Sequence, residues 1–274
     1  MDVSVVIVNY NTFELTRNCI QSILHQQAAS NFNYEIILVD NASNERNPEE
    51  FKQVFPFITL IKSDKNIGFA AGNNLGIEQA KGDAILLLNS DTILENDAIS
   101  ICYDYLKKHN EVAVVTGKLM YPNGDVQSNC QRFPSIKYQL FEILRLQKIL
   151  RSKAGHILFG FFFDYNTRAF PDWVWGTFFM FRRRIIEQLP EKKLSDLFFM
   201  YGEDMQWCME FRLLGYEICF LPDAKIIHLM GASGGAKNEL IKQNLRVFMN
   251  LYYSSWKRIV IKSLNFLLVG RYEF

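Results

Sequence analysis

The sequence predicts an α/β fold: a doubly wound, mostly parallel sheet flanked by helices, with a helical C-terminal appendage. Three observations predict it. First, Ile85 to Leu88 is an unbroken aliphatic run, the pattern of a strand buried on both faces. Second, that run breaks into Asn89, Ser90 and Asp91, which puts a carboxylate at the C-terminal edge of the sheet, where open α/β sheets bind ligands. Third, strand and helix patterns alternate through the first half of the chain, with polar loops after each strand.

Taken in order, Val3 to Val8 is a continuous apolar run and reads as the first strand. Asp2 stands where an export signal needs positive charge, so a strand is the expected reading of this N-terminus. Asn11, with Glu14 three residues on, suits the start of a helix that carries Leu15, Cys19, Ile20, Ile23 and Leu24 at helical spacing. Tyr34 to Val39 is a second strand, ending in Asp40, Asn41, Ala42 and Ser43. Pro48 marks the first turn of a short helix, and Phe57 to Ile61 reads as a third strand. Asn66 to Asn74 is a loop entering a helix that ends before Gly82. Beyond the central strand come a helix from about Asn96 to Lys108 and a strand from Val112 to Val115.

The second half is less regular. Tyr121 to Asp125 (YPNGD) is a turn signal that predicts a hairpin. Ile136 to Leu150 reads as helix and Trp173 to Phe181 as strand. Glu203 and Asp204 open a helix that Gly215 stops. Tyr216 to Leu221 and Lys225 to Leu229 read as two short strands, and Asn238 to Trp256 as a helix. In the C-terminal stretch, Lys257, Arg258 and Lys262 are mixed with aliphatic residues. That pattern suits a basic amphipathic helix on an anionic membrane surface, a helix packed on the domain, or a dimer contact.

The totals exclude some classes. The chain has 274 residues and a formal net charge of +1, which argues against a general nucleic-acid binder. Five scattered cysteines without a C-x-x-C pair favour reduced thiols over a disulfide framework, and with them a cytoplasmic setting. No apolar run approaches the roughly 18 residues of a membrane span.

The strand ends carry the chemistry. Asn9, Tyr10 and Asn11 close the first strand, Asp40 the second, and Asn89 and Asp91 the central one. In a parallel sheet these ends share one edge. There Tyr10 can stack on a nucleobase, Asp40 can accept an imide N–H, and Asp91 can hold a hard divalent cation that takes other ligands from water and phosphate. Asn-Ser-Asp and Asp-Asn are also ordinary turn chemistry. Trp173 and Trp175 suit the apolar face of a sugar ring or the core.

As an ordered set, VSVVIVNYN (Val3 to Asn11), ILVDNAS (Ile37 to Ser43), NIGFAAGNN (Asn66 to Asn74), LLLNSD (Leu86 to Asp91), FFMYGED (Phe198 to Asp204) and AKIIHLMGAS (Ala224 to Ser233) resemble the family-2 glycosyltransferases of GT-A fold. The likeness is greatest to the rhamnosyltransferase-like branch, with Asn-x-Asp in place of Asp-x-Asp. The resemblance implies Asp204 as catalytic base with Glu203 beside it, and Asp91 and His228 around Mn²⁺ or Mg²⁺. It implies a nucleotide-sugar site at Val8, Tyr10, Asp40, Asn73, Asn89 and Arg212, and an acceptor side to which Trp173, Trp175 and Trp207 contribute. It implies a UDP- or dTDP-linked donor and a glycan or lipid-linked glycan acceptor in a cytoplasmic protein; a lipid-linked acceptor would make peripheral contact with the inner face of the membrane useful, with the C-terminal region as one candidate for it. Residues 1–237 would form the transferase domain, donor half about 1–115 and acceptor half about 116–237, and 238–274 the appendage. Gln206 stands where the family often has an acid, Glu210 where an arginine is common, and Ser90 where proline is frequent. Read without the resemblance, Asp204 is a first-turn acid favoured by the helix dipole, and His228 ends an apolar strand.

Rival functions are weaker. Gly231 to Gly235 fits G-x-S-x-G, the serine-hydrolase elbow around Ser233, yet all four histidines precede that serine. The first strand is followed by no G-x-G-x-x-G, against a dinucleotide-dependent oxidoreductase. A non-catalytic nucleotide-sugar-binding module would bind donor without turnover.

Overall fold

The computed structural model describes residues 1–27, 32–229 and 237–269. In chain order the elements are β1 (Val3–Asn9), α1 (Phe13–Gln27), β2 (Tyr34–Asp40), α2 (Glu49–Val54), β3 (Thr59–Lys62), α3 (Phe69–Gln79) and β4 (Ala84–Asn89). Then come β5 (Thr92–Leu94), α4 (Ala98–Lys108), β6 (Val112–Met120), β7 (Cys130–Gln131), α5 (Ile136–Ile143), α6 (Leu146–Ile149) and α7 (Arg151–Leu158). The last are β8 (Trp173–Val174), β9 (Phe178–Arg182), α8 (Glu203–Leu213), β10 (Glu217–His228), α9 (Lys237–Tyr252) and α10 (Ser255–Val269).

Eight strands form one sheet in the order β3-β2-β1-β4-β9-β6-β10-β5, and β7 pairs with β8 apart from it. From β3 to β4 every pairing is parallel. Strand β9 is inserted antiparallel between β4 and β6, and β5 runs antiparallel along β10. The sheet is therefore mixed but largely parallel, helices cover both faces, and a helical C-terminal region follows.

Alternation along each strand feeds two cores. Val5, Ile7, Leu86 and Leu88 face α1, α2 and α4, where Ile20, Phe51 and Cys102 are buried. Val6, Ile85 and Leu87 face the other way, toward α3, α8 and α9, where Ile77, Phe211 and Phe248 are buried. Ile261 of α10 enters this second core, and α10 packs along α5. All five cysteines are free and buried. No helix among the described residues is long and apolar enough to cross a membrane.

Several expectations shift. Asn11 does not cap α1; it has φ +54° and its Oδ1 accepts from the N–H groups of Asn44 and Glu45. Glu45 instead accepts from the Phe13 N–H at the start of α1. Helix α4 starts at Ala98 because Asp97 caps it, its carboxylate accepting from the Ser100 N–H. The predicted helix from Ile136 to Leu150 breaks at Arg145, which is left-handed at φ +53°. The span Trp173 to Phe181 divides into β8 and β9, which belong to different sheets. The two short strands predicted after Gly215 are one long strand, β10, with an irregularity between Leu221 and Lys225.

Two of the sequence clusters meet in space. Gly68 has φ +86°, and a Cβ there would meet the Phe199 carbonyl oxygen and lie 2.8 Å from its ring Cδ2. The Phe69 N–H donates to that carbonyl at 2.9 Å. Glycine at 68 thus lets the start of α3 press against the segment that leads into α8. Gly68→Ala adds both a strained dihedral and a backbone clash. Urea unfolding should reveal a loss of about 2 kcal/mol or more.

Candidate active site

The ends of β1, β2 and β4 lie side by side, because Asn9 pairs with Asp40 and Val8 with Asn89 in the parallel register. Asn9 Nδ2 donates to Asp40 Oδ1 at 2.8 Å and to Ser43 Oγ at 2.9 Å. The Ser43 N–H donates to Asp40 Oδ2 at 3.0 Å. The hydroxyls of Thr12 and Thr16 donate to Asn9 Oδ1 at 3.0 and 2.8 Å. Asp40 is therefore a buried group with both oxygens engaged, and a ligand N–H can use only the lone pairs left over. Tyr10 beside it is exposed and Val8 half-buried, while Asn73 is buried and donates to the Phe69 carbonyl at 2.9 Å. Thr12 Oγ1 lies 3.0 Å from Ser90 Oγ, joining the first loop to the central one.

Asp91 and His228 come together. Asp91 Oδ1 is 3.3 Å from His228 Nε2, and the Leu229 N–H donates to the Asp91 carbonyl at 2.9 Å. The other ring nitrogen, Nδ1, is 2.7 Å from Gln127 Oε1. Gln127 is oriented by its own second bond, from Nε2 to the His228 carbonyl at 2.8 Å. A carbonyl can only accept, so the amide nitrogen must face it and Oε1 must face the ring. Oε1 in turn requires Nδ1 to carry the hydrogen. In the neutral ring, Nε2 then presents its lone pair toward Asp91.

This pair suits a hard divalent cation. Among the described residues no group of three or more His, Cys, Asp or Glu side chains comes together as a closed metal cage. The protein offers one carboxylate and one imidazole, and leaves the remaining positions to water or phosphate oxygen. Asn89 Oδ1, two residues from Asp91, is buried without a hydrogen-bond partner, an acceptor that a bound group would satisfy. A cavity of about 490 Å³ opens next to Asp91, lined by Asn11, Thr12, Phe13, Arg46 and Leu229.

Glu203 and Asp204 form the first turn of α8, after Gly202 at φ +104°. The Asp204 Oδ2 accepts from the Gly176 N–H at 3.1 Å, and its Oδ1 from the Met205 N–H at 2.8 Å. Burial pushes its carboxyl up to about 6 even though those backbone N–H groups pull it down. Glu203 is buried more deeply, and its Oε2 has no partner. Burial, then the neighbouring Asp204 charge, hold its carboxyl well above the ordinary range. The loop before α8 is fixed by Asn244 of α9, whose Nδ2 donates to the carbonyls of Met200 at 2.9 Å and Tyr201 at 2.5 Å.

Other expected residues lie elsewhere. Arg212 is exposed in the last turn of α8, eight residues from Asp204 and so about 12 Å along the axis. Trp207 is a correction: it is fully buried, stacks near Phe69, and its Nε1 donates to the Ser195 carbonyl at 2.8 Å, so it has no face for an acceptor. Trp173 is half-buried and its indole N–H donates to the Arg132 carbonyl at 3.2 Å; Trp175 is half-buried against the other core. Ser233 lies outside the described residues. Gln127, Ser43 and Gly176 are the residues that sequence reasoning missed. Gln127 and Gly176 belong to none of the motifs, and Ser43, although inside one, was given no role.

A family model described as "Glycosyl transferase family 2" matches residues 4–189. Glycosyltransferase GlyG of Streptococcus pneumoniae is 26% identical over 227 residues, which cover 81% of this chain and 68% of that protein. Poly(ribitol-phosphate) beta-glucosyltransferase of Bacillus spizizenii is 31% identical over 128 residues, 45% of this chain but only 20% of that much longer protein. Among solved structures, GalNAc-T7 with UDP, GalNAc and Mn²⁺ superposes with a TM-score of 0.69 at 15% identity, over 96% of this chain and half (50%) of that one. At that identity the likeness speaks for the GT-A-like fold alone.

The acid pair makes a pH-dependent stability difference. Glu203 is held protonated in the folded chain, while unfolding frees it to ionise near its ordinary value. Its contribution is therefore intact at low pH and is lost as pH rises toward the raised folded value. Glu203→Gln keeps the neutral form at every pH. Its urea midpoint relative to wild type should rise between pH 5 and pH 8, and a constant difference would contradict the protonated state.

Proposed function

The chain belongs to glycosyl transferase family 2, and from that premise we propose that it transfers a sugar, with inversion, from a nucleotide-diphosphate donor to a hydroxyl of a glycan acceptor. The observation that carries the reading is a pair of short backbone links. Gly176 N–H holds the Asp204 carboxylate, and the carbonyl of the following residue, Thr177, accepts from the Asn89 N–H at 3.0 Å. One short segment thus ties the residue proposed as base to the strand whose end leads to the proposed cation site.

Asp204 is the general base. With its carboxyl near 6 it is mostly ionised at neutral pH yet basic enough to accept the proton of an attacking hydroxyl. Glu203, neutral and beneath it, adds no second negative charge to the site. Asp91 and the Nε2 of His228 would hold Mn²⁺ or Mg²⁺, which supplies neutralisation of the charge that develops on the departing diphosphate. Gln127 keeps the ring in the tautomer able to do so. Exposed Tyr10, at the edge with Asp40, offers a stacking face for the base; Val8, Asn73 and Asn89 would complete the donor site. Direct attack opposite the leaving group inverts the anomeric centre.

Residues 1–115 would serve the donor and 116–237 the acceptor, where half-buried Trp173 and Trp175 can contribute; 238–274 would be the C-terminal appendage. The donor is dTDP-rhamnose or a UDP-hexose, and the pathway one of bacterial surface polysaccharide made in the cytoplasm. One relative, the poly(ribitol-phosphate) beta-glucosyltransferase of Bacillus spizizenii, supports that pathway. A lipid-carried acceptor would bring the protein to the inner face of the membrane.

Two measurements test the assignment. Asp204→Asn should lower kcat by roughly 10²–10⁴-fold with donor affinity kept, and wild-type kcat/KM should fall as pH drops below about 6. Full turnover by Asp204→Asn would end the base assignment. Gln127→Leu should weaken Mn²⁺ binding, read by electron paramagnetic resonance on the free enzyme, by about 10-fold, while Asp91→Asn should abolish it.

A further inference from the structure

Two segments differ in surface from the rest of the chain. Residues 136–158 carry Lys137, Arg145, Lys148, Arg151 and Lys153 against the single acid Glu142, a net charge of +4. Residues 255–269 carry Lys257, Arg258 and Lys262 and no acid, a net of +3. The whole chain is only +1, so the remainder is net −6. Elsewhere Arg17, Arg46, Lys62 and Lys193 pair with carboxylates, while others such as Lys52 and Lys225 do not among the described residues. None of the eight basic side chains in these two segments makes an ion pair with a carboxylate among the described residues.

The same segments expose large apolar side chains. On α10, Ile261 and Asn265 are buried on the inner face, whereas Trp256 (64% exposed), Ile259 (65%) and Leu267 (69%) form a stripe on the outer face. Their spacing of three and eight residues keeps them on one side of the helix. In the helices that follow α5, Leu144 (63% exposed) and Ile149 (75%) stand among Arg145, Lys148 and Arg151. Since α10 packs along α5, and α5 leads directly into α6 and α7, the two segments adjoin.

We propose that α10 together with the α5–α7 excursion is a docking surface for an anionic lipid bilayer. Unneutralised Lys and Arg face the negative headgroups, and a tryptophan and aliphatic side chains enter the boundary between headgroup and acyl chain. A second copy of this chain is a poor occupant, because each face would bring seven net positive charges against seven. The proposal rests on this surface alone and does not depend on the catalytic assignment.

Sedimentation of the full chain with vesicles tests it. The protein should partition onto phosphatidylcholine vesicles containing phosphatidylglycerol and not onto phosphatidylcholine alone, and ~0.5 M NaCl should weaken the binding. Trp256→Glu with Ile259→Glu, and separately Leu144→Glu with Ile149→Glu, should each lower partitioning by about 10-fold. All four side chains are exposed, so the melting temperature should stay at the wild-type value. A blue shift of tryptophan emission on anionic vesicles should disappear in Trp256→Phe, which reports insertion without a charge change. Absence of wild-type binding, or unchanged binding by both double variants, overturns the proposal. If only the Leu144 and Ile149 pair proves silent, the α5–α7 part is wrong. A solution dimer that both double variants dissociate would identify the face as a self-interface instead.

Discussion

The site depends on one stretch of backbone, Gly176–Thr177, that bonds in two directions. Its N–H side holds the Asp204 carboxylate and its carbonyl side holds the end of β4. That arrangement exists because β9 runs against its neighbours. In a wholly parallel sheet every strand ends at the ligand edge and none begins there. A reversed strand begins at that edge, so the residues just before β9 arrive beside Asn89 and can reach the start of α8. The separation of the proposed base from the proposed cation site is then set by peptide geometry, which is stiff, and not by long side chains.

Electrostatics gives the two adjacent acids different work. Both occupy the first turn of α8, where the helix dipole favours negative charge. Burial opposes ionisation of both, but only Asp204 has N–H donors aimed at each oxygen. Glu203 Oε2 has none. Two carboxyls one residue apart cannot both ionise cheaply in a low-dielectric setting, and the donors decide which one does. The pattern is a partly exposed carboxylate over a buried neutral one.

Much of the first half of the fold was legible, because each strand and helix there advertises itself by local period and the elements simply alternate. The second half was not, for physical reasons. Strands β7 and β8 have two residues each, too few for any period, and β9 sits in the sheet by pairing with residues far away in sequence. Trp173 to Phe181 reads as one strand because every residue but Gly176 suits a strand; the chain leaves it at Trp175–Thr177 to deliver the Gly176 N–H. In the site, Asp91 and His228 meet as the ordered motifs led one to expect. Gln127 was invisible, since its amide acquires its role only from two groups of His228, far away in sequence. Trp207 was misread because aromatic identity does not say which face of a helix points inward.

The meeting of His228 with Asp91 also turns on parity. In β10, Phe220 faces the core of α8 while Cys219 and Leu221 face that of α1 and α4. Side chains alternate, so His228 would be expected on the same face as Phe220. Between the pairs Leu221–Gly117 and Lys225–Lys118, however, β10 contains three extra residues, Pro222, Asp223 and Ala224. An odd insertion reverses the alternation, and Ala224 and Ile226 duly face α1 and α4. Pro222 has no N–H to give a ladder, which makes it a natural place for pairing to lapse. Asn96 takes up the freed groups: its Nδ2 donates to the Asp223 carbonyl at 2.7 Å and its Oδ1 accepts from the Lys225 N–H at 3.0 Å. Past the irregularity, β5 pairs His228 with Thr92, one residue from Asp91. A β10 of uniform register would carry the imidazole to the opposite face of the sheet, so the meeting of Asp91 and His228 is as much a product of Pro222 and Asn96 as of the two residues themselves.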